Sequence, residues 1–123
     1  MRLSLAICAG AGIAVSLSCS GGGGGTSNTP TLPDSIQILV SNNFFAPLVD
    51  TVAAGGKVVW VWTSGSVGHN IVSDGPQTFP PDSTLDNFPN SHGPFTLQAG
   101  VYNYHCTAHG QAGLGMAGTI VVR

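Results

Sequence analysis

The sequence predicts an all-β domain, a two-sheet sandwich or barrel, and three observations carry that reading. Ile36, Ile38 and Val40 alternate with Gln37, Leu39 and Ser41, the period-two pattern of a half-buried strand. The run Val58-Val59-Trp60-Val61-Trp62 is β-branched or aromatic throughout, which suits a central strand covered on both faces. Beyond the N-terminal segment no stretch has a helical period. Short apolar runs are instead separated by Gly, Pro, Asn and Asp turns, the pattern of two packed sheets.

The N-terminal segment precedes that domain. Arg2 is its only charge, and an apolar run covers 3–17. A bilayer-spanning helix needs about 20 apolar residues, so the run reads as the hydrophobic region of an export signal. Cys19 follows, then Ser20, five glycines at 21–25 and Thr26-Ser27-Asn28-Thr29-Pro30. A tract with nothing to bury and much backbone entropy to lose reads as a flexible tether. A cysteine between a signal and such a tether resembles the lipid-attachment site of bacterial lipoproteins. The resemblance departs from pattern at Ser16, three positions before Cys19, where an aliphatic residue is usual and Leu17 comes one place late. Simple cleavage is the alternative. The expected organisation is a signal over 1–19 ending at a lipidated Cys19, a tether over 20–33, and a β-domain over 34–123.

Within the domain, strands are expected at 36–41, 58–62 (after the Gly55-Gly56 turn), 70–73, 95–97, 101–106 and 118–122. Asp74-Gly75-Pro76 closes the third of these. A long loop is expected over 76–94, which holds Pro76, Pro80, Pro81, Pro89 and Pro94. Lys57 and Arg123 stand against Asp34, Asp50, Asp74, Asp82 and Asp86, a net charge of −3 for 34–123. Such a balance excludes a nucleic-acid surface and favours partners met through apolar or uncharged polar patches. A domain this small buries one modest core, and a bound metal would help it.

The last quarter of the chain carries the chemistry. Tyr102-Asn103-Tyr104-His105-Cys106-Thr107-Ala108-His109 precedes a glycine-rich stretch ending at Gly115-Met116. This reads as a strand delivering a thiolate, a tight turn returning an imidazole, and a loop returning a thioether. His69, just before a strand, could close the set. Two imidazoles, one thiolate and a weak axial thioether form the ligand set of a blue-copper centre. Singly, Cys106 reads as a buried apolar cysteine, Met116 as core filler, and either histidine as a surface residue. The four together point to one copper ion. A lone thiol in an oxidising compartment also needs burial or a metal to protect it. Strand alternation puts Tyr102, Tyr104 and Cys106 on one face and Asn103 and His105 on the other.

These residues resemble the cupredoxins, and within them the plastocyanin-like single-domain proteins, over 36–123. The matching pieces are Phe44-Phe45-Ala46-Pro47, the Gly-Gly-Lys-Val-Val-Trp run ending at Trp60, His69-Asn70, the segment from Gly100 to His109, and Gly115-Met116-Ala117-Gly118-Thr119-Ile120-Val121-Val122. The resemblance implies a Greek-key sandwich or barrel of the cupredoxin type and one type 1 copper held by His69, Cys106, His109 and Met116. It also implies that the Asn70 side chain braces the ligand loop, as groups behind metal ligands commonly do.

By the same resemblance the protein is an outer-sphere electron carrier, not an enzyme. His109 would lie near the surface, with Gly110, Ala112, Gly113 and Leu114 as a small docking patch for a transient redox partner such as a cytochrome or oxidase. The protein would be a monomer on the periplasmic or cell-surface side, tethered through Cys19. Met116 lies seven residues after His109, two more than is usual in plastocyanins, and Gln111 is the alternative axial ligand. A copper storage or delivery module with the same ligands is the second reading. The third is a copper enzyme, because nitrite reductases place a histidine before the cysteine to hold a second copper. His105 and His92 are the spare imidazoles for that role.

Overall fold

A computed structural model of the chain describes residues 29–77 and 82–123. The expected signal, Cys19 and the glycine run lie outside the described residues, which contain no helix. The strands are β1 (Ser35–Ser41), β2 (Phe44–Ala46), β3 (Val49–Val52), β4 (Lys57–Trp62), β5 (Val72–Asp74), β6 (Ser91–Thr96), β7 (Gly100–Gln111) and β8 (Leu114–Val122). They form two four-stranded sheets, ordered β2-β1-β4-β6 and β3-β8-β7-β5.

Apolar alternation sets which face of each strand turns inward. Ile36, Ile38 and Val40 of β1 are buried, and their partners in the parallel β4 include Trp60 opposite Ile38. In β4 itself Val58, Trp60 and Trp62 are buried while Val59 and Val61 are only partly so. The strand is therefore interior to its sheet but covered fully on one face, not on both. From the other sheet Tyr102, Tyr104 and Cys106 of β7 and Met116, Ile120 and Val122 of β8 complete the core. Tyr104 sits at its centre, edge-on to Phe45 (4.9 Å, 64°) and to Trp60 (5.3 Å, 84°), an arrangement aromatic rings favour.

The sequence reading missed β2 and β3, which have 3 and 4 residues and lie at sheet edges. Strands this short carry too little alternation to be recognised. Asn42-Asn43 makes the tight turn between β1 and β2, and Asn43 takes a φ of 68°, a conformation Asn tolerates better than most residues. The expected strand at 70–73 is shifted to Val72–Asp74. The expected loop over 76–94 gives way to β6 from Ser91 onward, despite Gly93 and Pro94. Being an edge strand, β6 tolerates proline, and the ladder shifts register between Val58 and Trp60.

The β7–β8 hairpin departs furthest from expectation, because both strands are longer than predicted. His105 pairs with Ala117 and Gly110 with Gly115, so residues 106–109 oppose Met116 alone. What the sequence suggested was a tight turn is a wide bulge inside one strand. The ladder then resumes, Gln111 pairs with Leu114, and Ala112-Gly113 makes the turn. The two extra residues are thus absorbed in a paired hairpin tip. Gly115 is needed there twice over: its φ is 71°, and a Cβ would lie 2.7 Å from the His109 carbonyl oxygen.

Candidate metal centre

The bulge brings the site together. Cys106 is the last residue of β7 in regular alternation, which turns its side chain into the core, fully buried. His109 lies at the far end of the bulge and is exposed. His69 comes from the connection between the two sheets and is fully buried. Its backbone is clamped on both sides by Asp86, with His69 N–H donating to Asp86 O (3.0 Å) and Asp86 N–H donating to His69 O (2.9 Å). The segment read as a featureless loop therefore holds one of the site residues in place.

Cys106 Sγ lies 3.8 Å from His69 Nδ1 and 3.6 Å from His109 Nδ1. Ligand atoms of His69, Cys106 and His109 all fall within 4.8 Å of one another. A first-row ion with nitrogen ligands at about 2.0–2.1 Å and sulfur at about 2.3 Å separates the two by about 3.6–3.8 Å at trigonal to tetrahedral angles. The cluster thus has the spacing of donors around one ion. Two imidazole nitrogens with a thiolate suit a type 1 copper ion, soft enough for Cu(I) and acceptable to Cu(II).

Met116 is buried opposite the bulge, whereas Gln111, the alternative axial residue, is exposed at the hairpin tip. Among the described residues His69, Cys106 and His109 are the only such group able to hold a metal ion. Burial pushes the His69 pKa below its ordinary value, and the neighbouring His109 pushes it the same way; both keep the imidazole neutral and available to a metal.

The other sequence-predicted residues fall into place around this cluster. Asn70 accepts the Thr107 N–H at Oδ1 (2.9 Å) and donates from Nδ2 to Thr107 Oγ1 (3.1 Å). It pins the first residue of the bulge after Cys106. His105 points away from Cys106, as alternation predicts, and its Nδ1–H donates to Asp74 Oδ1 at 2.8 Å. His92 does not lie in a loop, as the expected stretch over 76–94 would have it. It lies in β6 in the other sheet, against Phe95 (4.7 Å) and Trp60 (6.0 Å). His92 and His105 thus stand on different sheets. Sequence reading missed Asn42, whose Oδ1 is 3.0 Å from His69 Nε2. The signal available was the Asn-Asn pair between two apolar runs, which marks a turn but not the reach of its side chain.

A two-sheet β-sandwich that gathers a His-Cys-His group, two members buried and His109 exposed, is compatible with a single type 1 copper site. The fold is that of the cupredoxins. A purple cupredoxin from Nitrosopumilus maritimus is similar over 71% of this chain and 98% of its own, with 26% identity and a TM-score of 0.57. A mutant plastocyanin of a fern is similar over 72% of this chain and 100% of its own, with 25% identity and a TM-score of 0.55. A copper-containing nitrite reductase from Thermus scotoductus shares the fold at 22% identity and a TM-score of 0.55, over 75% of this chain but 22% of its own. No protein-family model and no curated protein matches the chain.

Proposed function

We propose that the chain is an exported blue-copper protein that carries single electrons between redox partners, with His69, Cys106, His109 and Met116 as the residues that would hold its one copper. The observation that carries this reading is the buried Cys106 Sγ set 3.8 and 3.6 Å from two imidazole nitrogens. Copper bound there would supply a one-electron couple. The chain's part is to hold the donors still. Asn70 fixes the bulge at Thr107, Asp86 fixes the His69 backbone, and the core encloses Cys106 and Met116. Donors held in one arrangement for both oxidation states reorganise little, which favours fast electron exchange.

His109 is the exposed member of the set, so its ring edge is the shortest approach for a partner. Ala112, Gly113 and Leu114 are exposed beside it, and Gly110 is partly buried. A small uncharged surface of this kind suits a transient partner such as a cytochrome or an oxidase. In this reading the 1–19 segment exports the protein to the periplasmic or cell-surface side. Cys19 carries the lipid, the glycine tether lets the domain over 34–123 swing, and the protein acts as a monomer. Cys19→Ser is then expected to move it from the membrane fraction to the soluble one.

The test is the visible and electron paramagnetic resonance spectrum of the exported protein with one equivalent of Cu(II), beside Cys106→Ser. Intense thiolate-to-copper absorption, blue or purple, with narrow copper hyperfine splitting and lost in the variant, is the expected result. A pale tetragonal spectrum would overturn the electron-carrier reading in favour of copper storage or delivery. Two copper ions per chain would favour the enzyme instead.

A further inference from the structure

Asn42 stands in the β1–β2 turn, far from Cys106 in sequence, yet its amide touches three parts of the site's surroundings. Nδ2 donates to Gly65 O at 2.9 Å, and Oδ1 accepts Val67 N–H at 3.1 Å. A backbone carbonyl can only accept and a backbone N–H can only donate, so these two bonds fix which end of the amide is oxygen. The oxygen so assigned also faces His69 Nε2 at 3.0 Å. An amide oxygen has no proton to give, so the hydrogen of that contact belongs to His69 Nε2. A neutral imidazole carries one N–H. Its Nδ1 is then a bare lone pair, and it is Nδ1 that faces Cys106 Sγ.

We propose that Asn42 is a positioning residue that selects the Nε2–H tautomer of His69 and so presents Nδ1 as a ready ligand before any metal arrives. The proposal deepens the copper reading and rests on His69 being a ligand. His69 is fully buried whereas Asn42 is exposed, so the Asn42 side chain stands between the imidazole and water. Water in its place would both donate and accept, and the selection would be lost. Groups behind metal ligands that fix a histidine's tautomer and orientation are commonly worth 10–100-fold in metal affinity.

The structure supplies its own control. Asn87 Oδ1 accepts Gly68 N–H at 2.7 Å, fastening the same loop one residue from His69. Asn87→Ala therefore loosens the loop without removing the partner of Nε2. Asn42→Asp keeps an acceptor at Nε2 while losing the bond to Gly65.

The experiment records long-range nitrogen–proton correlations of the His69 ring in the metal-free exported protein at about pH 8, where a free histidine is neutral. Zn(II) binding, as a redox-inert probe, is measured beside it. Wild type, Asn42→Asp and Asn87→Ala are expected to show one Nε2–H tautomer. Asn42→Ala is expected to show both tautomers and to bind Zn(II) roughly 10–100-fold more weakly. An Nδ1–H tautomer in wild type, or an Asn42→Ala protein with unchanged tautomer and affinity, would overturn the proposal. If Asn42→Ala does not fold, a lost Nε2–H tautomer in Asn42→Asp or Asn87→Ala overturns it equally. Because the tautomer is read without copper, a pale Cu(II) spectrum would reject the electron-carrier reading and leave the Asn42 assignment standing.

Discussion

Asn70 is buried beside His69 and meets Thr107 at both its N–H and its hydroxyl. Asn70→Ala leaves the Thr107 N–H without its acceptor and is expected to cost about 1–2 kcal/mol, read as a lower urea midpoint of the metal-free protein. His69 adds a pH dependence. Its folded pKa lies below the ordinary 6.5, first through burial and then through His109. Between that folded value and about 6.5 the unfolded chain binds more protons than the native one, so stability rises with pH across this window. The metal-free protein is expected to lose stability as pH falls through 6.5 and to level off below the folded pKa. Urea midpoints from about pH 7.5 to about pH 5 test this, and His69→Gln should remove that contribution to the slope.

At the scale of elements, the bulge in β7 turns two strands into a site. Residues 106–109 stand against Met116 alone, so Cys106 and His109 mark the two ends of the bulge and the buried Met116 faces it from the partner strand. Gly113 and Gly115 separate the two demands of this hairpin. Both have positive φ, 70° and 71°, but a Cβ at Gly113 meets nothing within 4 Å. Gly113→Ala is expected to cost about 1–2 kcal/mol for the backbone alone. Gly115→Ala must also displace the His109 carbonyl, so it should cost more and weaken the copper absorption, whereas Gly113→Ala should leave that absorption intact. Equal effects on the spectrum would mean that the close approach at Gly115 does not set the His109 position.

Much of this was legible in the sequence, for identifiable reasons. Ile36, Ile38, Val40 and Tyr102, Tyr104, Cys106 point inward because period two alone decides it. His69 could be named but not placed, since its position depends on Asp86, seventeen residues later in a proline-rich stretch. The short edge strands and the reach of Asn42 were invisible because both depend on tertiary neighbours. At the scale of the whole molecule, metal removal is the informative perturbation. Trp60, Tyr104, Ile38 and Ile120 are buried core residues outside the proposed ligand set, so the chelated protein is expected to keep its far-ultraviolet dichroism. Free metal at a thousandfold its dissociation constant stabilises by about 4 kcal/mol, roughly 15–30 °C for a domain of this size. Scanning calorimetry checks this, and an unchanged midpoint would mean that the native fold holds no metal.

The spacing of the site residues along the chain also sets the order in which they meet during folding. Cys106 and His109 are separated by 3 positions, but His69 and Cys106 by 37. Closing the longer loop carries the larger entropy penalty, and His69 is held by contacts with Asp86 and Asn42 that themselves span the chain. The C-terminal hairpin is local and can form early, gathering the Cys106, His109 and Met116 side chains before His69 docks. For that interval Cys106 lacks the cover of the opposite sheet. Its vulnerability to oxidants therefore depends on the rate at which the two sheets close, and a destabilised sandwich would reveal itself first as lost thiol.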